Sequence, residues 1–121
     1  MNKREQIDGI VYISGKMRGL KKSTYEAHFR KATNELIIQH GVHPSMVVNP
    51  CYIGHALRGF SDETILTLDL DILANCDAIY MLNNWEDSHG ANEEKKRAEE
   101  LGLAVYYEPK DEPVEPRRRK R

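Results

Sequence analysis

The chain alternates short apolar runs with longer stretches of helical period, and it never sets two strand-like runs side by side. Ile10-Val11-Tyr12-Ile13-Ser14 is a short apolar run rich in β-formers and closed by Gly15, the pattern of a strand covered on both faces. From Ser23 to about His40, Tyr25, Phe29, Ala32, Leu36 and Ile37 recur at helical spacing until Gly41 stops the run. Met46-Val47-Val48 gives a second strand ended by Asn49-Pro50, and a loop is expected from Cys51 to Phe60. Ser61, with Asp62 and Glu63 behind it, opens a second helix as an N-cap and acidic first turn should, and that helix runs to about Asn75. Asp77 to Leu82 reads as a third strand, Ser88 to Leu101 as a third helix with Gly102 as its stop, and Leu103 to Tyr107 as a fourth strand. A helix between every pair of strands requires parallel pairing through right-handed crossovers, with helices on both sheet faces. The expected fold is therefore α/β, a small doubly wound parallel sheet. Ligands of such sheets bind beyond the carboxyl ends of the strands, where strand order reverses. That edge here carries residues 14–19, 49–60 and 83–90.

The helical stripes contain two residues that ought not to be there. In the third helix Ala91, Ala98 and Leu101 share one face, and Glu94 falls among them at offsets of three and four. Glu93 is turned about 100° away and sits four residues before Arg97, an ordinary exposed pair. In the second helix Ile65, Ile72, Leu73 and Cys76 form the buried stripe with Asp69 inside it, whereas Asp71 shares the outer face with Thr64 and Thr67. A carboxylate taken out of water is costly unless paired, hydrogen-bonded or neutralised. A catalytic cleft is one reason for two inward acids. The alternatives left by patterning alone are a Glu94 that favours the positive end of its helix and an Asp69 that is salt-bridged or turned aside.

With 121 residues the chain has enough length for one core, and residues 1–108 are expected to form it. No apolar run nears the roughly 20 residues of a spanning helix, and the start MNKREQIDG has no apolar signal stretch. A cytoplasmic protein without membrane contact is expected. Cys51 and Cys76 stand far apart in apolar surroundings and read as reduced, packed thiols. The five histidines are scattered, with no metal-ligand spacing, so neither a metal nor another cofactor is expected. The net charge of −1 hides an asymmetry: residues 109–121 hold six Lys/Arg against three Asp/Glu, which leaves twelve basic and sixteen acidic residues in the body. Three prolines and a block of like charge predict a disordered basic tail, with a nucleic-acid or partner-binding arm as the alternative. The acidic body argues against a dedicated nucleic-acid-binding protein, since phosphate neutralisation dominates such affinity.

Tyr12-Ile13-Ser14-Gly15-Lys16-Met17-Arg18-Gly19, the Asp69-Leu70 step before Cys76-Asp77, and Ser88-His89-Gly90-Ala91-Asn92-Glu93-Glu94 together resemble the nucleoside 2-deoxyribosyltransferase superfamily. Within it the chain is similar to the small DUF4406 proteins common in phages and to the 2'-deoxynucleoside 5'-phosphate N-hydrolases. The resemblance spans residues 10–107. It implies a flavodoxin- or Rossmann-like sheet of four to five strands, a homodimer or larger homo-oligomer, and cleavage of an N-glycosidic bond with retention. By position it makes Glu94 the nucleophile that attacks the anomeric carbon, Asp69 the proton donor or base-orienting group, and Tyr12 the residue that positions the nucleophile and the sugar. The chemistry suits the residue types, because a departing base needs a proton and an electron-poor sugar carbon needs an anion nearby.

The turn from Gly15 through Lys16 and Arg18 to Gly19 can present backbone N–H groups and two cations to a phosphate. Ser88 and Gly90 open the third helix, whose N-terminus favours an anion. The resemblance assigns Arg18 and Ser88 to a 5'-phosphate, with a surface turn and an ordinary N-cap as the alternatives. Lys16 stands where related proteins have proline, and the loop Asn83-Asn84-Trp85-Glu86 is longer than in the N-hydrolases, which leaves substrate choice open. The expected function is hydrolysis or transfer at the N-glycosidic bond of a deoxynucleoside 5'-monophosphate. A catalytically silent nucleotide-binding module is the alternative.

Overall fold

A computed structural model describes residues 4–110 of the chain, so residues 111–121 of the expected basic tail lie outside the described residues. Four strands form one parallel sheet: β1 (Val11–Ser14), β2 (Val47–Val48), β3 (Ala78–Met81) and β4 (Ala104–Tyr107), in the order β2-β1-β3-β4. Helices α1 (Lys22–Gln39), α2 (Cys51–Ala56), α3 (Asp62–Leu73) and α4 (His89–Glu100) fill the crossovers. Val11 pairs with both Val47 and Ala78, and Ser14 lies opposite Met81.

Alternation along β1 divides the core. Val11 and Ile13 pack with Phe29, Ala32 and Leu36 of α1 and with Cys51. Tyr12 packs on the other side with Leu73, Cys76, Ala91 and Ala98 around α3 and α4. Helices thus cover both faces, as a doubly wound sheet requires, and the central strands β1 and β3 are buried along their whole length. No helix among the described residues is long and apolar enough to cross a membrane.

The expected loop after the second strand contains α2 instead. Asn49 Oδ1 accepts the Cys51 N–H at 3.0 Å, and Gly54 N–H reaches Pro50 O at 3.0 Å, so the Asn49-Pro50 stop also starts a helix. A six-residue helix with one buried residue carries no period to read. Met46 belongs to a 3₁₀ turn over Pro44–Met46, which leaves β2 with two residues. Leu101 is 38% exposed because α4 ends before it and Leu101 serves as the C-cap. Arg97 pairs with Glu100 at 3.3 Å, not with Glu93.

Gly15 and Gly19 bound the turn after β1 for different reasons. A Cβ on Gly15 would meet Leu82 Cδ1, Cγ and Cβ at 2.6, 2.8 and 2.9 Å, so the chain passes Leu82 where no side chain fits. Gly19 has φ +87°, the left-handed region, in open space. Gly15→Ala is expected to cost about 2 kcal/mol by overpacking against buried Leu82. Urea unfolding checks this, and an unchanged midpoint would mean that Leu82 moves aside freely.

Candidate active site

Strand order reverses between β1 and β3, and the carboxyl ends of these two strands border the turn 15–19 and the loop 83–88. The Lys16 N–H donates to Asn84 Oδ1 at 3.1 Å and ties that turn to that loop. Tyr12 and Ser14 are two residues apart on β1, so both side chains project toward α3 and α4. On α4, the small residues Ala91 and Ala98 are 1% and 0% exposed, which lets the helix lie close to the sheet. Glu94 shares their face, and its carboxylate reaches across to β1.

Both oxygens of Glu94 are occupied there. The Tyr12 hydroxyl donates to Oε2 and the Ser14 hydroxyl to Oε1, each at 2.6 Å. That length is typical of a hydroxyl bound to a charged carboxylate. Glu94 is 6% exposed, while Tyr12 and Ser14 are fully buried. Burial pushes the Glu94 carboxyl up to about 7; the Ser14 and Tyr12 hydrogen bonds oppose this, and the Asp69 charge adds to it. Burial first, then the Glu94 charge, holds the Tyr12 hydroxyl well above its ordinary range, so it remains a donor at all working pH.

Asp69 projects from α3 on the same side of the sheet, close enough for its charge to act on Glu94 and Tyr12. Its Oδ1 is buried and has no hydrogen-bond partner among the described residues. Burial pushes its carboxyl up to about 6. A buried acceptor without a donor is rare in folded proteins and calls for a proton or a ligand. The neighbouring acids differ as patterning predicts for α3: Asp71, Thr64 and Thr67 are exposed.

The candidate anion-binding residues lie around this core rather than in it. Arg18 is exposed and forms an ion pair with Asp62, the first residue of α3. Ser88 is the N-cap of α4, its Oγ accepting the Ala91 N–H at 3.1 Å, which still leaves its own hydroxyl proton to donate. Gly90 lies in the first turn of α4, where a Cβ would come no closer than 4.0 Å to Ser88 Oγ. Trp85 packs beside Tyr107, ring centroids 6.3 Å apart, with Lys95 Nζ 5.3 Å from its ring centroid. Sequence reasoning missed Ser14, although its place two residues from Tyr12 signals a shared face. A shallow groove along α1, lined by Arg30, Asn34, Glu35 and Ile38, lies across the sheet from Glu94 and takes no part in this site.

A family model described as a domain of unknown function, DUF4406, matches residues 10–107, and the chain belongs to that family. No curated protein and no solved structure matches it.

Proposed function

We propose that this DUF4406 chain cleaves the N-glycosidic bond of a deoxynucleoside 5'-monophosphate with retention, through a glycosyl ester on Glu94. The observation that carries the reading is the pairing of a buried carboxylate held by two hydroxyls with a second carboxyl, Asp69, whose inner oxygen lacks a partner. An oxygen of Glu94 attacks C1' of the sugar. The C1'–N bond breaks, its electron pair passes to the base, and the Asp69 proton follows onto the base. Water or a second base then attacks C1'; Asp69 takes the displaced proton, and Glu94 leaves as carboxylate. The resemblance supports the same division of roles between Glu94, Asp69 and Tyr12. A homodimer or larger homo-oligomer, implied by the resemblance, and the cytoplasmic setting expected from the sequence belong to this proposal.

In this reading the phosphate sits against Arg18 and the opening turn of α4, with Ser88 and the turn Gly15–Gly19 around it. The exposed Arg18–Asp62 pair contributes little to stability, so a dianionic phosphate can take the guanidinium from Asp62. Arg18→Ala is expected to weaken binding of a deoxynucleoside monophosphate about tenfold while leaving the unphosphorylated deoxynucleoside unaffected. Calorimetric titration of both ligands checks this. An equal loss for the two would remove Arg18 from the phosphate site.

One observation favours a second reading, a silent nucleotide-binding module: Glu94 is 6% exposed with both oxygens already engaged. Incubation with the four deoxynucleoside monophosphates, followed by chromatography for free base, separates the readings, with Glu94→Ala as control. Free base from the wild type alone supports cleavage. A nucleotide-dependent rise in Tm without free base supports the binding module.

A further inference from the structure

We propose that Ser14 is a positioning residue whose hydroxyl, with that of Tyr12, favours the anionic form of Glu94 and fixes it in one orientation. The proposal rests on Glu94 as the reacting group and adds a residue outside the roles assigned above. Ser14 is fully buried at the carboxyl end of β1, and its hydroxyl is given to Glu94 Oε1 at 2.6 Å. Tyr12 occupies Oε2 from the same face of the same strand, so the two donors fix the carboxylate at both ends.

What else faces Glu94 makes these two donors decisive. From α3 comes Asp69, whose negative charge opposes that of Glu94; its own helix contributes Ala91 and Ala98, which have no polar group. Among the described residues no Lys or Arg charge offsets that of Glu94. A buried carboxylate without a cation depends on its hydrogen-bond donors to remain charged. Losing Ser14 leaves Oε1 an orphan. The carboxyl then takes a proton at Oε1 at higher pH than before and is free to turn about its remaining bond to Tyr12. Substrate binding is untouched, while the fraction of attacking carboxylate falls.

The test is a ¹³C NMR titration of the Glu94 carboxyl carbon, assigned with Glu94→Gln and recorded without nucleotide in wild type, Ser14→Ala and Ser14→Cys. Alanine removes the donor, and cysteine leaves a weak one of similar size. The Glu94 midpoint is expected to rise by about one pH unit in Ser14→Ala and by less in Ser14→Cys, with no rise at Asp69. With substrate at neutral pH, kcat falls several-fold in step with the lost carboxylate while KM stays unchanged. Should Ser14→Ala fail to fold, the cysteine variant carries the same reading. A folded variant in which Glu94 titrates as in the wild type overturns the proposal. Because the titration uses no nucleotide, that failure is distinct from an absence of base release, which would instead remove the proposed activity.

Discussion

Replacing Glu94 by glutamine is expected to abolish base release, by about 10⁴-fold or more, and at the same time to stabilise the protein above neutral pH. The amide cannot attack C1', yet it fits the same space, accepts one hydroxyl through Oε1 and donates to the other through its NH₂. The stability effect follows from the raised carboxyl. Glu94 titrates at about 7 when folded against an ordinary value of 4.5. Below 4.5 both states hold the proton and burial of the group costs no charge. Between 4.5 and 7 the unfolded chain releases its proton while the folded chain keeps it, so stability falls as pH rises. Above 7 the full difference, about 3 kcal/mol, weighs against the wild type. Glutamine carries no such cost. Thermal unfolding at pH 8 should place Glu94→Gln roughly 10 °C above the wild type, and at pH 4 the two should nearly coincide. A variant less stable than wild type at pH 8 would show that the Tyr12 and Ser14 hydrogen bonds outweigh the burial of the charge.

The part of this site legible in the sequence is the part that periodicity controls. Ala91, Glu94 and Ala98 share a helical face by spacing alone, and Glu94 is buried in the structure for that reason. Asp69 and Asp71 separate by the same rule, one half-buried and the other exposed. Parallel pairing and the two-sided core follow from the alternation of helices and strands, whereas the strand order does not. Periodicity does not say which atoms meet across the sheet. The reach of Glu94 to Tyr12 and Ser14 spans about 80 residues of sequence and depends on the small side chains that bring α4 down onto the sheet. A serine at a strand end is legible as part of the strand, but nothing in its spacing names the carboxylate it meets. Surface pairs are the least legible, because long side chains choose among several neighbours at similar energy. Arg97 thus pairs with Glu100 and Arg18 with Asp62.

Asparagine at position 69 is expected to slow release of a natural base by about 10² to 10⁴-fold, the usual contribution of a general acid. The wild-type rate should trace a bell with pH, rising as Glu94 ionises and falling as Asp69 loses its proton. The carboxyls titrate at about 7 and about 6, so the crest lies between these values. The mechanism needs the proton on Asp69 and Glu94 ionised. The two hydroxyls on Glu94 and the orphan Oδ1 of Asp69 pull toward the productive form, and a bound base completes that shift by accepting from Asp69. Asparagine keeps a hydrogen-bond donor but has no proton to give and none to lose, so the alkaline limb should vanish and the rate should rise with pH to a plateau. A deoxyribose 5-phosphate carrying an aryl leaving group that departs unprotonated separates the roles further. Asp69→Asn should cleave it nearly as fast as the wild type, while Glu94→Gln should not cleave it at all. Equal losses on the aryl and natural substrates would leave Asp69 as a residue that orients the base and would move the acid elsewhere.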